Sequence, residues 1–157
     1  GPFLYPEKFL SISITNLLDG KPIYIHGDGR QIRDWIQVRD HGVGILAILE
    51  RGKIGETYMM GGDGEYSIAD TAKTLLKVMG LSDNMLHFIK DRPGQDRRYA
   101  IEYTKIKNEL GWTPTVTFEQ GLADMVDWYR KNEAWWRPIK DSSGYRQWFE
   151  IQFGREL

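Results

Sequence analysis

Residues 20–35 read Gly20-Lys21-Pro22-Ile23-Tyr24-Ile25-His26-Gly27-Asp28-Gly29-Arg30-Gln31-Ile32-Arg33-Asp34-Trp35. Residues 23–26 form a β-favouring run behind a proline, and Gly27-Asp28-Gly29 ends it, because two glycines permit the positive φ angles of a tight turn. This predicts a strand entering a turn. On the N-terminal side, residues 7–19 place Leu10, Ile14, Leu17 and Leu18 on one helical face and stop at Gly20, a residue suited to a left-handed cap. On the C-terminal side, Asp40 suits the N-cap of a helix carrying Ile45, Leu46, Ile48 and Leu49, with Arg51 in its last turn and Gly52 after it. Tyr58-Met59-Met60 reads as a short strand ending in Gly61-Gly62. Ser67 with Asp70 makes a capping box for a helix to Met79, closed by Gly80. Residues 86–90 are a weaker strand, residues 104–110 a short helix ended by Gly111, and Thr117 with Gln120 opens a long helix bearing Leu122, Met125, Val126 and Tyr129. Alternation of this kind predicts an α/β protein rather than a helical bundle.

Composition narrows the function classes. The chain has 157 residues, 21 Lys plus Arg against 22 Asp plus Glu, a net charge of −1 and no cysteine. Near-zero charge gives no broad field for nucleic acid or an anionic membrane. Zero cysteines remove disulfides, thiolate zinc sites and cysteine nucleophiles, and are compatible with a reducing cytoplasm, the expected location. His26, His41 and His87 lack metal-ligand spacing. No apolar run approaches the ~18 residues of a membrane span. A doubly wound dinucleotide domain requires a Gly-x-Gly-x-x-Gly turn after its first strand, and none is present.

Two turns could carry chemistry. Lys90-Asp91-Arg92-Pro93-Gly94-Gln95-Asp96-Arg97-Arg98-Tyr99 sets four cations and two carboxylates around a Pro-Gly turn. Planar guanidinium forks donating paired hydrogen bonds suit a diphosphate, whereas neutralisation by Asp91 and Asp96 in a surface network is the bland alternative. Arg33 lies in a second glycine-led turn, where a salt bridge to Asp34 is its alternative role. Two arginine turns in a nearly neutral chain fit an anionic small molecule better than nucleic acid, which would call for a longer basic stripe with interleaved aromatics. Tyr103-x-x-x-Lys107 has the spacing of a reductase acid/base pair, but no nucleotide-binding strand-turn-helix precedes it, and Ile106 and Leu110 suit a packing helix. The tail holds Trp128, Tyr129, Trp135, Trp136, Tyr145, Trp148, Phe149 and Phe153, a density that fastens a terminal helix to a core.

Taken together, several segments resemble the C-terminal part of the nucleotide-sugar epimerase/dehydratase branch of the extended short-chain dehydrogenase/reductases, and within it the dTDP-glucose 4,6-dehydratases. They are Gly1-Pro2 with Pro6-Glu7-Lys8; Ile25-His26-Gly27-Asp28-Gly29 with Gln31-Ile32-Arg33-Asp34-Trp35; Asp40-His41; Gly55-Glu56-Thr57-Tyr58 with Gly61-Gly62; residues 91–99; Glu109-Leu110-Gly111-Trp112; and Trp135-Trp136-Arg137-Pro138. The resemblance spans essentially the whole chain. It implies a hydro-lyase in which bound NAD oxidises the sugar at C4, water is eliminated across C5 and C6, and the hydride returns to C6.

By the same resemblance, residues 1–157 form the nucleotide-sugar-binding portion, with a helix and strand over residues 40–62 that would complete a Rossmann sheet. The NAD-binding Rossmann domain, with the family's glycine-rich loop and catalytic Tyr-x-x-x-Lys, would precede Gly1. No catalytic residue is expected here, and the chain alone is expected to be inactive. Expected partners are a nucleotide-diphosphate sugar, the N-terminal half, and a second copy in a homodimer of the intact enzyme. The resemblance places Lys8 and Phe9 beside the nucleotide and Tyr24, Ile25 and His26 against the base. Arg33 and Arg92 would bind the diphosphate, Ser67 would lie near the base, and the loop of Asp91, Arg92, Pro93, Gly94 and Gln95 would close over the nucleotide. His26 stands where the family has tyrosine, Ser67 near an asparagine, and Gln95 for a frequent histidine. UDP-, GDP- or CDP-sugar dehydratases, a 4-epimerase, and a non-catalytic binding module therefore remain alternatives.

Overall fold

The computed structural model describes residues 1–62 and 64–154. The expected alternation is present, as helices packed around short strands. Helix α1 (Phe9–Leu18) runs through the centre, with every residue from Leu10 to Leu17 buried, so its polar Ser11, Ser13, Thr15 and Asn16 are inside as well as its apolar face. Local bonds make that tolerable: Ser11 Oγ donates to the Tyr5 carbonyl at 2.6 Å and Thr15 Oγ1 to the Ser11 carbonyl at 2.9 Å. Gly20, at φ 69°, ends the helix. The Lys21 amide reaches the Asn16 carbonyl at 2.8 Å and the Gly20 amide the Leu17 carbonyl at 3.1 Å, satisfying carbonyls that a helix end otherwise orphans.

Strand β1 (Ile23–His26) sends Ile23 and Ile25 into the core and leaves Tyr24 and His26 half-buried on its other face. It pairs in parallel with β4 (Leu86–Ile89), Ile25 opposite Phe88. A second sheet has β2 (Ile32–Asp34) at its centre, antiparallel to β3 (Glu65–Ser67) and parallel to β5 (Arg98–Tyr99). Helix α3 (Ile68–Met79) starts on Ser67, whose hydroxyl accepts from the Asp70 amide at 3.0 Å, and α5 (Phe118–Lys131) starts on Thr117 in the same way. Both helices lay their apolar faces on α1 and β1 in the main core. Helices α2 (Val38–Arg51) and α4 (Thr104–Leu110) build a smaller cluster around Ala47, Ile106, Leu110 and Trp112.

Three expectations change. Asp40 does not cap α2; Gln37 does, and Asp40 sits buried in the first turn. There its carboxylate accepts from the Thr115 amide at 2.9 Å, the Thr115 hydroxyl at 2.7 Å and the Val116 amide at 2.9 Å. Tyr58-Met59-Met60 is not a strand, because no ladder partner faces it among the described residues. The aromatic tail does not fasten one helix but follows α5 with α6 (Glu133–Asp141) and α7 (Ser143–Phe153). Tyr103 precedes α4 and packs edge-on against Trp112, as expected for a packing helix.

Helix α6 is locked to the end of α1 by charge. Lys140 is buried, with its ammonium 2.9 Å from Asp19 and 3.0 Å from the Asn16 side chain, and Arg137 meets the other Asp19 oxygen at 2.5 Å. Burial works against ionisation of Asp19, but hydrogen bonds from Lys140 and Arg137 outweigh it and hold the carboxyl below its ordinary range. Burial also pulls the Lys140 ammonium below its ordinary range. Asp19→Ala strands a buried cation and should cost about 3 kcal/mol in denaturant unfolding. Since the folded-state pKa of Asp19 is depressed, its contribution is complete above the unfolded carboxylate pKa and is lost as pH falls through the folded value. The variant should therefore show a flatter loss of stability on acidification.

Candidate functional site

The outward face of β1 opens onto a cleft of about 580 Å³. Tyr24 and His26 line it from β1, and Lys8 and Phe9 from the start of α1. Arg33 enters from β2, Arg92 and Gln95 from the 90–97 loop, and Tyr99 from β5. Trp148, Gln152 and Phe153 of α7 also line it. The chain's route explains the convergence. β1 ends in a turn with Gly27 at φ 64° and Gly29 at φ 69°, which brings the chain back as β2. A Cβ on Gly27 would lie 2.7 Å from the Asp91 carboxyl carbon, so glycine there lets the arginine-bearing loop approach β1.

Each polar side chain has an identifiable support. The His26 ring is held through Nδ1, 3.0 Å from the Lys90 carbonyl oxygen, and lies 5.8 Å from Phe153. Tyr24 packs at 5.4 Å on the same phenylalanine. Arg33 donates to the Ile32 carbonyl at 2.7 Å and the Asp96 carbonyl at 2.9 Å, and its guanidinium lies 4.2 Å over the Tyr99 ring. It is thus pre-positioned, with no carboxylate partner among the described residues, and the salt bridge to Asp34 does not form. Asp34 instead accepts from the Gly62 amide at 3.0 and 2.9 Å and from the Ile101 amide at 3.3 Å.

Neutralisation in the 90–99 segment is also uneven. Arg97 pairs with Asp28 at 3.3 Å, and Arg98 makes a two-pronged pair with Glu65 at 2.7 and 2.6 Å. The Arg98 hydrogen bonds hold Glu65 below its ordinary range. Asp91 and Asp96 neutralise none of these arginines. Asp91 accepts from the Arg92 amide at 2.8 Å, and Asp96 supplies its carbonyl to Arg33. Among the described residues no carboxylate pairs with Arg92, whose side chain borders the cleft. Lys8 pairs with Glu7 at 3.0 Å in an exposed contact of small energetic weight.

Of the residues expected at the site, the cleft gathers Lys8, Phe9, Tyr24, His26, Arg33, Arg92 and Gln95. Ile25 faces the core, as strand alternation requires, and Ser67 caps α3. Asp91 lies behind Gly27, and Pro93 and Gly94 form the loop's turn, with Gly94 at φ 72°. The sequence reading did not anticipate Gln31, Trp35, Tyr99 and the α7 side chains. Gln31 stands two positions before Arg33, a spacing that could have flagged it. The α7 residues carry no comparable local signal. Among the described residues no cluster of three or more His, Cys, Asp or Glu could hold a metal ion, and no helix is long and apolar enough to cross a membrane.

A family model described as GDP-mannose 4,6 dehydratase matches residues 3–125. A dTDP-glucose 4,6-dehydratase of Mycolicibacterium smegmatis is 45% identical over 143 residues, covering 90% of this chain and 43% of the relative. The crystal structure of dTDP-glucose 4,6-dehydratase from Bacillus anthracis, in complex with NAD, superposes with a TM-score of 0.85 at 43% identity, over 89% of this chain and 44% of that one. A dTDP-glucose 4,6-dehydratase from Streptomyces venezuelae with NAD and TYD bound gives the same TM-score at 41% identity, over the same shares. The chain therefore spans less than half the length of these relatives, and its fold is that of the C-terminal part of an extended short-chain dehydrogenase/reductase.

The Asp34 anchor carries a testable cost. A Cβ on Gly62 would lie 1.9 Å from the Trp35 carbonyl oxygen and 2.6 Å from the Asp34 carboxylate. Gly62→Ala must displace backbone and should lower stability by about 3 kcal/mol, read from chemical denaturation.

Proposed function

The chain belongs to the GDP-mannose 4,6 dehydratase family, and on that premise we propose that it is the nucleotide-sugar-binding half of an NAD-dependent 4,6-dehydratase that converts dTDP-glucose to dTDP-4-keto-6-deoxyglucose and water. The observation that carries this reading is the pairing in one cleft of a braced Arg33, and of an Arg92 with no carboxylate partner among the described residues, with the half-buried rings of Tyr24 and His26. Cations of planar, two-pronged geometry suit a diphosphate, and flat rings beside them suit a base. Identity of 40–45% to dTDP-glucose 4,6-dehydratases supports dTDP as the nucleotide and glucose as the sugar. His26 in the place of tyrosine favours testing UDP beside it, since an imidazole stacks on either pyrimidine.

NAD, present in the relatives' structures, supplies hydride chemistry when bound. Gly27-x-Gly29 leads into strand β2 rather than a helix N-terminus, so this turn is not the phosphate-binding turn of a dinucleotide fold. The part assigned to this chain is binding. Arg33 and Arg92 clamp the diphosphate, Tyr24 and His26 hold the base, and Lys8 adds a cation.

The half-domain reading gives α2 a role. Val43, Leu46 and Leu49 on α2, with Ile54 and Met59 beyond it, are more than half exposed. Val43, Leu46 and Leu49 are spaced three apart on one helix face, and an exposed apolar face of that kind is normally covered. We assign its cover to the cofactor-binding half of the same protein. The isolated chain should therefore self-associate in sedimentation velocity, and Leu46→Lys with Leu49→Lys should shift it toward monomer.

Binding tests the site itself. Arg33→Ala and Arg92→Ala should each weaken dTDP by about tenfold to a hundredfold in calorimetric titration, the range for loss of a charge-assisted hydrogen bond of ~1.5–3 kcal/mol. Arg92→Ala is the cleaner variant, because Arg33 also braces the loop. Unchanged affinity in both would refute the reading, and full-length protein yielding a 4-epimer instead of a 4-keto-6-deoxy sugar would reassign the reaction.

A further inference from the structure

Gln31 is 2% exposed and borders the cleft. Its Nε2 donates to the His26 carbonyl at 3.2 Å and points to the Asp91 carboxylate at 3.4 Å. Both neighbours are acceptors only, and the Asp91 oxygen already accepts from the Arg92 amide. The amide can therefore sit only one way round, with its NH₂ toward them and its oxygen away. That oxygen, Oε1, is buried and has no hydrogen-bond partner among the described residues. A buried acceptor left unmade is costly, and this one borders the cleft, so a ligand that brings a donor there gains a hydrogen bond.

Position says which donor. Gln31 is tied on one side to the main chain of His26, the base-side ring, and on the other to Asp91, which precedes Arg92. Arg33 follows two residues later. It thus stands between the base end and the diphosphate end of the cleft, where a nucleoside diphosphate has its sugar. The diphosphate has no donor to offer, and a deoxyribose has one free hydroxyl, at the 3′ carbon.

We propose that Gln31 reads the nucleoside sugar, its Oε1 accepting a hydrogen bond from the 3′-hydroxyl of the bound nucleoside diphosphate. The proposal rests on the nucleotide reading of the cleft and adds a specificity residue to it. A site that fixes an acceptor in a buried place rejects ligands lacking the matching donor more strongly than an apolar wall would.

The test is calorimetric titration of the 157-residue chain with dTDP, with 3′-deoxythymidine diphosphate and with inorganic pyrophosphate. The 3′-deoxy ligand should bind about tenfold more weakly than dTDP. Gln31→Met, which keeps length and removes the acceptor, should bring dTDP down to the 3′-deoxy value and leave pyrophosphate unchanged. Equal affinity of the two nucleotides for the unaltered chain overturns the proposal without any variant, and so does retained discrimination in Gln31→Met. Failure of dTDP to bind at all overturns the nucleotide reading instead, a different result from equal binding of both nucleotides.

Discussion

The carboxylate of Asp34 is held by the Gly62 amide at 3.0 and 2.9 Å and by the Ile101 amide at 3.3 Å, and the cleft depends on that anchor. Asp34 is the last residue of the three-residue strand β2, which has β3 on one edge and β5 on the other. A strand this short gains little from its own ladder bonds, so its position must be fixed from outside. The anchored carboxylate does this by joining three separate stretches of chain. Arg33, its neighbour, is thereby aimed to the opposite side, where Tyr99 and the Asp96 carbonyl receive it. The price is glycine at positions 61 and 62, since a Cβ on either would collide with Asp34 and nearby carbonyl oxygens.

Two further carboxylates act in the same manner. Asp40 collects three donors from Thr115 and Val116 while its carbonyl accepts from the Trp112 indole at 3.0 Å, which ties α2 to the segment leading into α5. Burial opposes its ionisation, and the Val116 and Thr115 bonds overcome that and hold its carboxyl below the ordinary range. Asp19 ties α1 to α6 through Lys140 and Arg137. Aspartates that might be taken for acid/base groups are structural acceptors, and the cations that line the cleft are Arg33 and Arg92, with Lys8 beside them. A net charge of −1 hides that division of labour.

Much of the architecture was legible from local chemistry. Gly20, Gly80 and Gly111 mark helix ends because each takes a left-handed φ, and Ser67 and Thr117 mark helix starts because each hydroxyl accepts from an amide three residues on. What escaped depends on distant partners. Asp40 has the composition of a cap, but Thr115 and Val116, far along the chain, claim its oxygens. Tyr58-Met59-Met60 has the residues of a strand without a neighbour to make it one. The arginine turns were legible as an anionic site, yet which arginines remain available was not, because Asp28 and Glu65 reach Arg97 and Arg98 only after folding. Gln31 belongs to a segment that marked the family resemblance, but nothing in the segment gave it a role at the site. Its meaning comes from two acceptors that fix its amide and from the oxygen they leave over.

The central claim is that the cleft between β1, the 90–97 loop and α7 binds a nucleoside diphosphate. Chemical-shift mapping of the isotope-labelled chain titrated with dTDP tests it most directly. The account predicts saturable shifts concentrated at Lys8, Tyr24, His26, Gln31, Arg33, Arg92 and Gln95. Shifts confined instead to the apolar cavity of about 420 Å³ lined by Phe3, His41, Phe118 and Met125, or no saturable shift at millimolar dTDP, would contradict it.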